Sequence, residues 1–401
     1  MGKNLQFWRE ATTHKIAISP QSSFFPSKLI SMGYIMIWVF MAGNEGGDGG
    51  GGGRELILGW GWEEEDDWYS SLAVRLPPRD SENDSRRRRF QFTQVLLPHL
   101  LEICKLQQTV ANCIERTGPA LHSGKLSTVK IVPESARTGR YFVFRSNIVR
   151  ASIDHAVKET PLCTTLSKDG YTIRTVEHLL SALEATGVDN CRIEIESCDP
   201  CDRSVEVPVF DGSAREWVEA VDQVGLNVAI DCGGNSCEKL APFLNEPVHV
   251  RKNDSFIVAF PHSKVNITYG IDFPQAPAIG RQWFSSTLLD ESFYSKQIAS
   301  SRTFCIYEEV EHMRNSGLIK GGSTETAIIC SATRGWLNPP LRYGDEACRH
   351  KVLDLIGDLS LFAKDGSQGL LVAHIVTYKG GHSLHTEFVR CLSGINKKDG
   401  T

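Results

Sequence analysis

The sequence predicts an α+β protein in which two successive groups of strands and helices follow a separate N-terminal region. Three observations carry this reading. From about Leu106, strand-length apolar runs alternate with stretches of helical periodicity. These fall into two groups parted by Asp231–Glu238 (DCGGNSCE), rich in glycine and polar residues. The residues before Leu106 share neither pattern. With 41% hydrophobic and 23% charged residues in 401, a sizeable core can be buried.

Taken in order, residues 1–44 carry Lys3, Arg9, Lys15 and Lys28 against one acid, Glu10, together with five serines. That composition suits an organelle transit peptide, and a disordered leader suits it equally well. Gly46–Gly53 is a near-pure glycine tract, the composition of a flexible linker. Glu63–Asp67 is an acidic run and Arg86–Arg89 a basic one, a pattern of solvated disorder. The apolar run Tyr34–Ala42 falls short of the roughly 20 residues that span a bilayer. In the first group, Thr128–Pro133, Tyr141–Arg145 and Arg192–Ile195 read as strands, and Thr175–Ala185 and Arg215–Val224 as helices. In the second, Pro247–Arg251, Phe256–Phe260, Val265–Phe273 and Leu370–Tyr378 read as strands, and Ser286–Ser300 and Arg349–Ala363 as helices. The net charge of -5 gives no global attraction to nucleic acid or anionic membrane. The 12 scattered cysteines fit reduced intracellular thiols better than a disulfide scaffold.

Three segments carry chemistry. In R-H-K-V-L-D-L-I-G-D-L, His350, Asp354 and Asp358 stand at i, i+4 and i+8, one face of a helix, with Val352, Leu353 and Ile356 turned to a core. A His and a carboxylate so spaced can share an ion, although a surface ion pair explains the isolated motif as well. In R-T-V-E-H-L-L-S-A-L, Thr175 can cap a helix whose first turn holds Glu177 and His178. A carboxylate beside a metal-binding His sets a general base next to the metal, but the helix dipole alone also favours Glu there. In Y-K-G-G-H-S-L-H, Gly380–Gly381 allow a tight turn that presents His382 at a strand end, with His385 competing. A rival metal reading joins Cys198 and Cys201 to Cys232 and Cys237 in a four-thiolate structural site.

These segments, with T-G-P-A-L-H-S-G-K, L-C-T-T-L, G-V-D-N, P-V-F-D-G-S-A, I-D-F, S-R-T-F and G-L-I-K-G-G-S in the same order, resemble the UDP-3-O-acyl-N-acetylglucosamine deacetylase family of lipid A synthesis over about residues 106–395. The resemblance implies two similar domains, 106–234 and 235–401, behind a leader of residues 1–105. Each would be a sheet with two helices packed on it, the site lying between the helix layers. It implies one catalytic Zn2+ on His178, His350 and Asp354, with a fourth position open to water. Glu177 would take the proton of the attacking water, and Thr303 would help stabilise the oxyanion. His382 would protonate the leaving amine or steady its charge, held by Asp358. Phe273 would stack on uracil with Asp272 beside it. Lys351, Lys379 and His122 would supply positive charge for the pyrophosphate. Leu162, Cys163, Gly322 and Ser323 would also contact substrate. The acyl chain would thread the segment Arg314–Ala327, where a charged Lys320 would be costly.

This sequence departs from the family pattern in a longer Glu196–Glu206 loop, in Cys305 for Gly and in His385 for Asn. The leader implies a plant-like mitochondrial homologue. The expected partner is a UDP-linked acyl-glucosamine. Nucleic acid and a transmembrane segment are not expected, membrane contact would be transient through the lipid substrate, and the chain would act as a monomer. A catalytically silent binder of the same ligand is the alternative.

Overall fold

The structure, a computed structural model, describes residues 35–42, 54–62, 70–76, 99–158, 162–197, 201–287, 291–338 and 340–394. Two units separate, residues 1–86 and 87–401. In the first, Ile35–Ala42, Arg54–Trp62 and Ser70–Leu76 pair as an antiparallel three-stranded sheet. The glycine tract and the acidic and basic runs lie outside the described residues.

The second unit contains two five-stranded sheets. The first is built from β1 (Ile114–Pro119), β2 (Leu126–Pro133), β3 (Arg140–Phe144), β4 (Asn147–Arg150) and β5 (Cys191–Ser197), in the order β1-β2-β5-β3-β4. The second is built from β6 (Val248–Lys252), β7 (Ser255–Pro261), β8 (Asn266–Phe273), β9 (Gly280–Thr287) and β10 (Ala373–Tyr378), in the order β6-β7-β10-β8-β9. The last strand of each runs antiparallel to the second strand and parallel to the third. The two sheets therefore share one topology. Period-two burial gives β2, β3 and β5 an inward face, as with Ser127, Val129 and Ile131 on β2.

The helices are α1 (Glu177–Ala185), α2 (Arg215–Val224), α3 (Glu291–Gln297), α4 (Tyr307–Asn315), α5 (Glu346–Leu359) and α6 (His382–Ser393). In each group one long helix precedes the last strand and another follows it. The two that precede, α1 and α5, pack on each other, and α5 and α6 also meet the second sheet. One continuous core runs through both groups and includes Phe142, Trp217, Tyr269 and Phe388.

Gly357 sets how closely α1 and α5 approach. A Cβ there would stand 2.1 Å from the Glu177 carbonyl oxygen. Backbone cannot yield as a flexible side chain can, so Gly357→Ala must push the helices apart. The expected cost is about 1–3 kcal/mol in denaturant unfolding. Glu184 ties the groups together further along α1. Its carboxylate pairs with the buried Arg140 guanidinium and accepts the Gly369 and Leu370 N–H groups at 2.8 and 2.9 Å. Burial alone would raise this carboxyl, but Arg140 and Lys239 outweigh that and hold it below its ordinary 4.5. Its stabilisation is thus complete at neutral pH and is lost only as acid protonates it below that value. Glu184→Gln, which leaves Arg140 uncompensated, should cost about 3–5 kcal/mol at pH 7. An equal loss at pH 7 and in strong acid would contradict this account.

Three local expectations change. Ser286–Ser300 is not one helix: Ser286 and Thr287 complete β9, and among the described residues of this span helix covers Glu291–Gln297. The strand hydrogen bonds to β8 prevail there over helical periodicity. The expected helix from Arg349 begins at Glu346 and tightens to a 3-10 turn at Ser360–Phe362. Thr175 does not cap α1. Its backbone is left-handed, at φ 56, and its hydroxyl donates to Glu206 Oε1 at 3.0 Å. A buried carboxylate distant in sequence competes successfully for that hydroxyl. A strand (His99–Leu106) pairing with Glu238–Phe243 also begins ahead of the texture change at Leu106.

Candidate metal centre and active site

The start of α1 and the middle of α5 bring His178, His350 and Asp354 together, all buried. Asp354 Oδ1 lies 3.3 Å from His350 Nε2 and 3.7 Å from His178 Nε2. The two rings stand edge to face with centroids 5.0 Å apart. His350 Nδ1–H donates to the Ser301 carbonyl at 3.0 Å, which leaves the Nε2 lone pair facing Asp354. Burial, with His350 adding, lowers His178 to about 3, and burial lowers His350 as well. Burial would raise Asp354, but His350, Lys351 and His382 outweigh it and hold it well below the usual carboxylate range. Asp354 Oδ1 is buried with no hydrogen-bond donor. An orphaned anionic oxygen beside two buried imidazoles, one with its lone pair turned inward, fits a divalent cation. Two nitrogens and one oxygen is a donor set that suits such a metal ion.

Glu177 and His382 flank this centre. Glu177 Oε2 accepts the Thr164 N–H at 3.0 Å, and Oε1 lies 3.8 Å from His382 Nε2. Burial raises Glu177 to about 8, with Asp354 and Asp358 adding and His382 opposing. A cation beside it would draw that value back down. His382 is the first residue of α6, and its Nδ1 lies 2.8 Å from Asp358 Oδ2. Burial disfavours its charge, yet Asp358, Asp354 and Glu177 outweigh burial and raise it to about 9. Asp358 Oδ1 accepts the Thr164 hydroxyl.

His382 and Lys351, which touch this centre, also line a cavity of about 760 Å³. Leu121, Leu162, Phe304, Ile306, Val310, Met313, Ile319 and Ile329 give it an apolar wall, while Lys252, Lys351, Lys379 and His382 contribute charge. His122, Phe273, Thr303, Gly322 and Ser323 also line it. Thr303 is pinned on both sides: its N–H donates to the Gly212 carbonyl at 2.7 Å, and its carbonyl accepts the Ile328 N–H at 2.9 Å.

Other expected residues stand differently. Lys320 is exposed and lies outside the cavity wall, so the feared burial of its charge does not arise. Asp272 is also outside the wall, accepting from Arg281 at 3.3 Å and from the Tyr378 hydroxyl at 3.1 Å. Cys163 is buried behind the wall, and burial pushes its thiol up to about 11. Lys351 Nζ sits 2.7 Å from Asp354 Oδ2, and Lys379 Nζ 2.7 Å from Asp254. His122 is held near about 4 by burial, so it offers a neutral imidazole rather than a charge. Its Nδ1 accepts the Ile319 N–H, which leaves Nε2 as a donor without a partner. Of the four-cysteine reading, Cys198 lies outside the described residues. Cys201 and Cys232 are exposed and Cys237 is buried. Among the described residues the candidate ligand groups contain no cysteine.

Residues 107–394 match the family model LpxC, described as UDP-3-O-acyl N-acetylglycosamine deacetylase. The chain belongs to this family. It is similar to "Probable UDP-3-O-acyl-N-acetylglucosamine deacetylase 1, mitochondrial" of Arabidopsis thaliana, at 63% identity over 289 residues, covering 72% of this chain and 88% of the relative. It is also similar to the UDP-3-O-acyl-N-acetylglucosamine deacetylase of Trichormus variabilis, at 43% identity over 290 residues, covering 71% of this chain and 97% of the relative. The corresponding Thermosynechococcus vestitus protein is 41% identical over 295 residues. Within this deacetylase chain, no motif by itself gives a role to Thr164, Tyr269 or Glu206. Thr164 lies inside L-C-T-T-L, so the signal was present without a role. Glu206 accepts the His122 and Ser123 N–H groups at 2.8 Å each and so fixes the His122 loop. Nothing local in its sequence announces that.

Proposed function

We propose that this chain is a zinc-dependent deacetylase that hydrolyses the acetamide of a UDP-3-O-acyl-N-acetylglucosamine, releasing acetate and the free sugar amine, in lipid A or lipid A-like synthesis. The observation that carries the reading is the meeting of His178, His350, Asp354, Glu177 and His382, the last of which also lines an apolar-walled cavity. Zinc, when bound, supplies Lewis-acid polarisation of the amide carbonyl and a hydrolytic water that ionises near neutral pH. Glu177, anchored by Thr164 through one oxygen, uses the other to take the proton of the attacking water. Thr303, fixed in the wall, donates its hydroxyl to the developing oxyanion. His382, kept cationic by Asp358, delivers a proton to the departing amine. His122 donates a hydrogen bond through Nε2, while Lys351 and Lys379 bring positive charge toward the phosphates and Phe273 offers a face to the uracil. The acyl chain occupies the apolar wall formed by α4 and Ile319.

The shared strand order of the two sheets supports reading 106–234 and 235–401 as two similar domains with the site between their helices. The basic, acid-poor leader and the mitochondrial names of the plant relatives support action in the mitochondrion. Among the described residues no helix is long and apolar enough to cross a membrane. The test is acetate release from the UDP-linked acyl substrate by purified zinc-loaded protein. A protein that binds this ligand and zinc but releases no acetate would instead be the silent binder.

A further inference from the structure

Asp358 receives a hydrogen bond beyond those from His382 and Thr164. His385, three residues further along α6, is wholly buried, and its Nδ1 lies 2.8 Å from Asp358 Oδ2. That is the same oxygen and the same distance as for His382 Nδ1. The other ring nitrogen of His385, Nε2, lies 2.9 Å from the Tyr269 hydroxyl, which rises from β8. The direction of each bond follows from the donor inventory. An ionised Asp358 only accepts, so His385 carries its proton on Nδ1 and donates it. Nε2 is then an acceptor, and the Tyr269 hydroxyl donates to it. Burial favours the uncharged form of both partners. The chain also makes room for the pair: a Cβ on Gly380 would stand 2.6 Å from the Tyr269 hydroxyl and 2.9 Å from His385 Nε2.

We propose that Tyr269 and His385 are positioning residues for His382, holding the Asp358 carboxylate in the one orientation that aims His382 Nε2 at the leaving nitrogen. With Thr164 on Oδ1 and two imidazoles on Oδ2, the carboxylate cannot turn about its own axis. Without His385 the restraint on Oδ2 comes from His382 alone, so the carboxylate and the imidazole it should hold can shift together. His382 would then lose its fixed placement, 3.8 Å from both Glu177 Oε1 and Asp354 Oδ2. The role rests on the deacetylase reading of the site, and one arm of the test does not depend on it.

His385→Leu, His385→Asn and Tyr269→Phe separate positioning from packing. Asn places an amide N–H where the imidazole Nδ1–H was, so it keeps the bond to Asp358 and loses only Tyr269. Leu fills space and keeps neither bond. The Leu variant should lower kcat by about 10-fold or more, with KM and zinc content unchanged, as loss of an outer-shell partner does. Asn should restore most of that loss, and Tyr269→Phe should fall between Leu and wild type. Unchanged kcat in the Leu variant, or equal impairment by Leu and Asn, would overturn the proposal. Should the Leu variant fail to fold, Tyr269→Phe decides, and full kcat there overturns it. In protein labelled with nitrogen-15 histidine, the His382 Nδ1–H resonance should move or broaden in His385→Leu. A resonance that stays in place counts against the relay. If wild type releases no acetate, the functional reading fails, and this resonance still decides the relay.

Discussion

Asp354→Ala is expected to yield protein nearly free of zinc and without measurable acetate release. Asp354 Oδ1 is the buried anion of the centre, and no other carboxylate meets both His178 and His350 among the candidate ligand groups of the described residues. Two neutral imidazoles alone make a poor zinc site, since catalytic zinc takes three protein ligands. Removing a mere outer partner of a metal costs about 10- to 100-fold. A loss in kcat/KM well beyond about 100-fold, accompanied by loss of metal, therefore identifies a direct ligand. The measurement is zinc per chain by elemental analysis, with acetate release on the same sample. Zinc that survives Asp354→Ala but leaves with Cys201→Ser would place the metal on thiolates and end the present assignment.

Glu177→Gln is the complementary experiment. The amide oxygen of Gln can still accept the Thr164 N–H, so the local geometry is preserved. What disappears is a group able to take a proton. The expected result is full zinc content, a KM close to wild type and a kcat reduced by about 100- to 10,000-fold, the span attributed to general-base catalysis. A variant retaining more than about a tenth of wild-type kcat would remove Glu177 from that role. Together the two substitutions separate holding the metal from using it.

How far the site could be read in advance depended on distance along the chain. His350, Asp354 and Asp358 share a helix face, and helical periodicity alone puts them there. Spacing shows Glu177 and His178 only as neighbours, and the family resemblance alone makes them partners of α5, because their meeting depends on Gly357 admitting the Glu177 carbonyl. Thr175 was assigned to its own helix, whereas its hydroxyl serves Glu206. Tyr269 belongs to a β8 strand that pattern did reveal, yet its bond to His385 follows from how α6 lies over the second sheet. The two groups of elements were legible in composition and periodicity. Their common strand order was not, because sheet order is set by pairing between distant segments rather than by any local propensity.

The seating of α1 against α5 also fixes an order of assembly. His178 belongs to the first group of elements, and His350 and Asp354 to the second. A chain emerging from a ribosome or threading through a translocation pore in the N-to-C direction has no complete cation site until α5 has been delivered and docked. Metal captured then acts as a latch, because its binding free energy adds to the free energy of closing the two groups on each other. Protein deprived of its metal would hold a population that unlatches more readily.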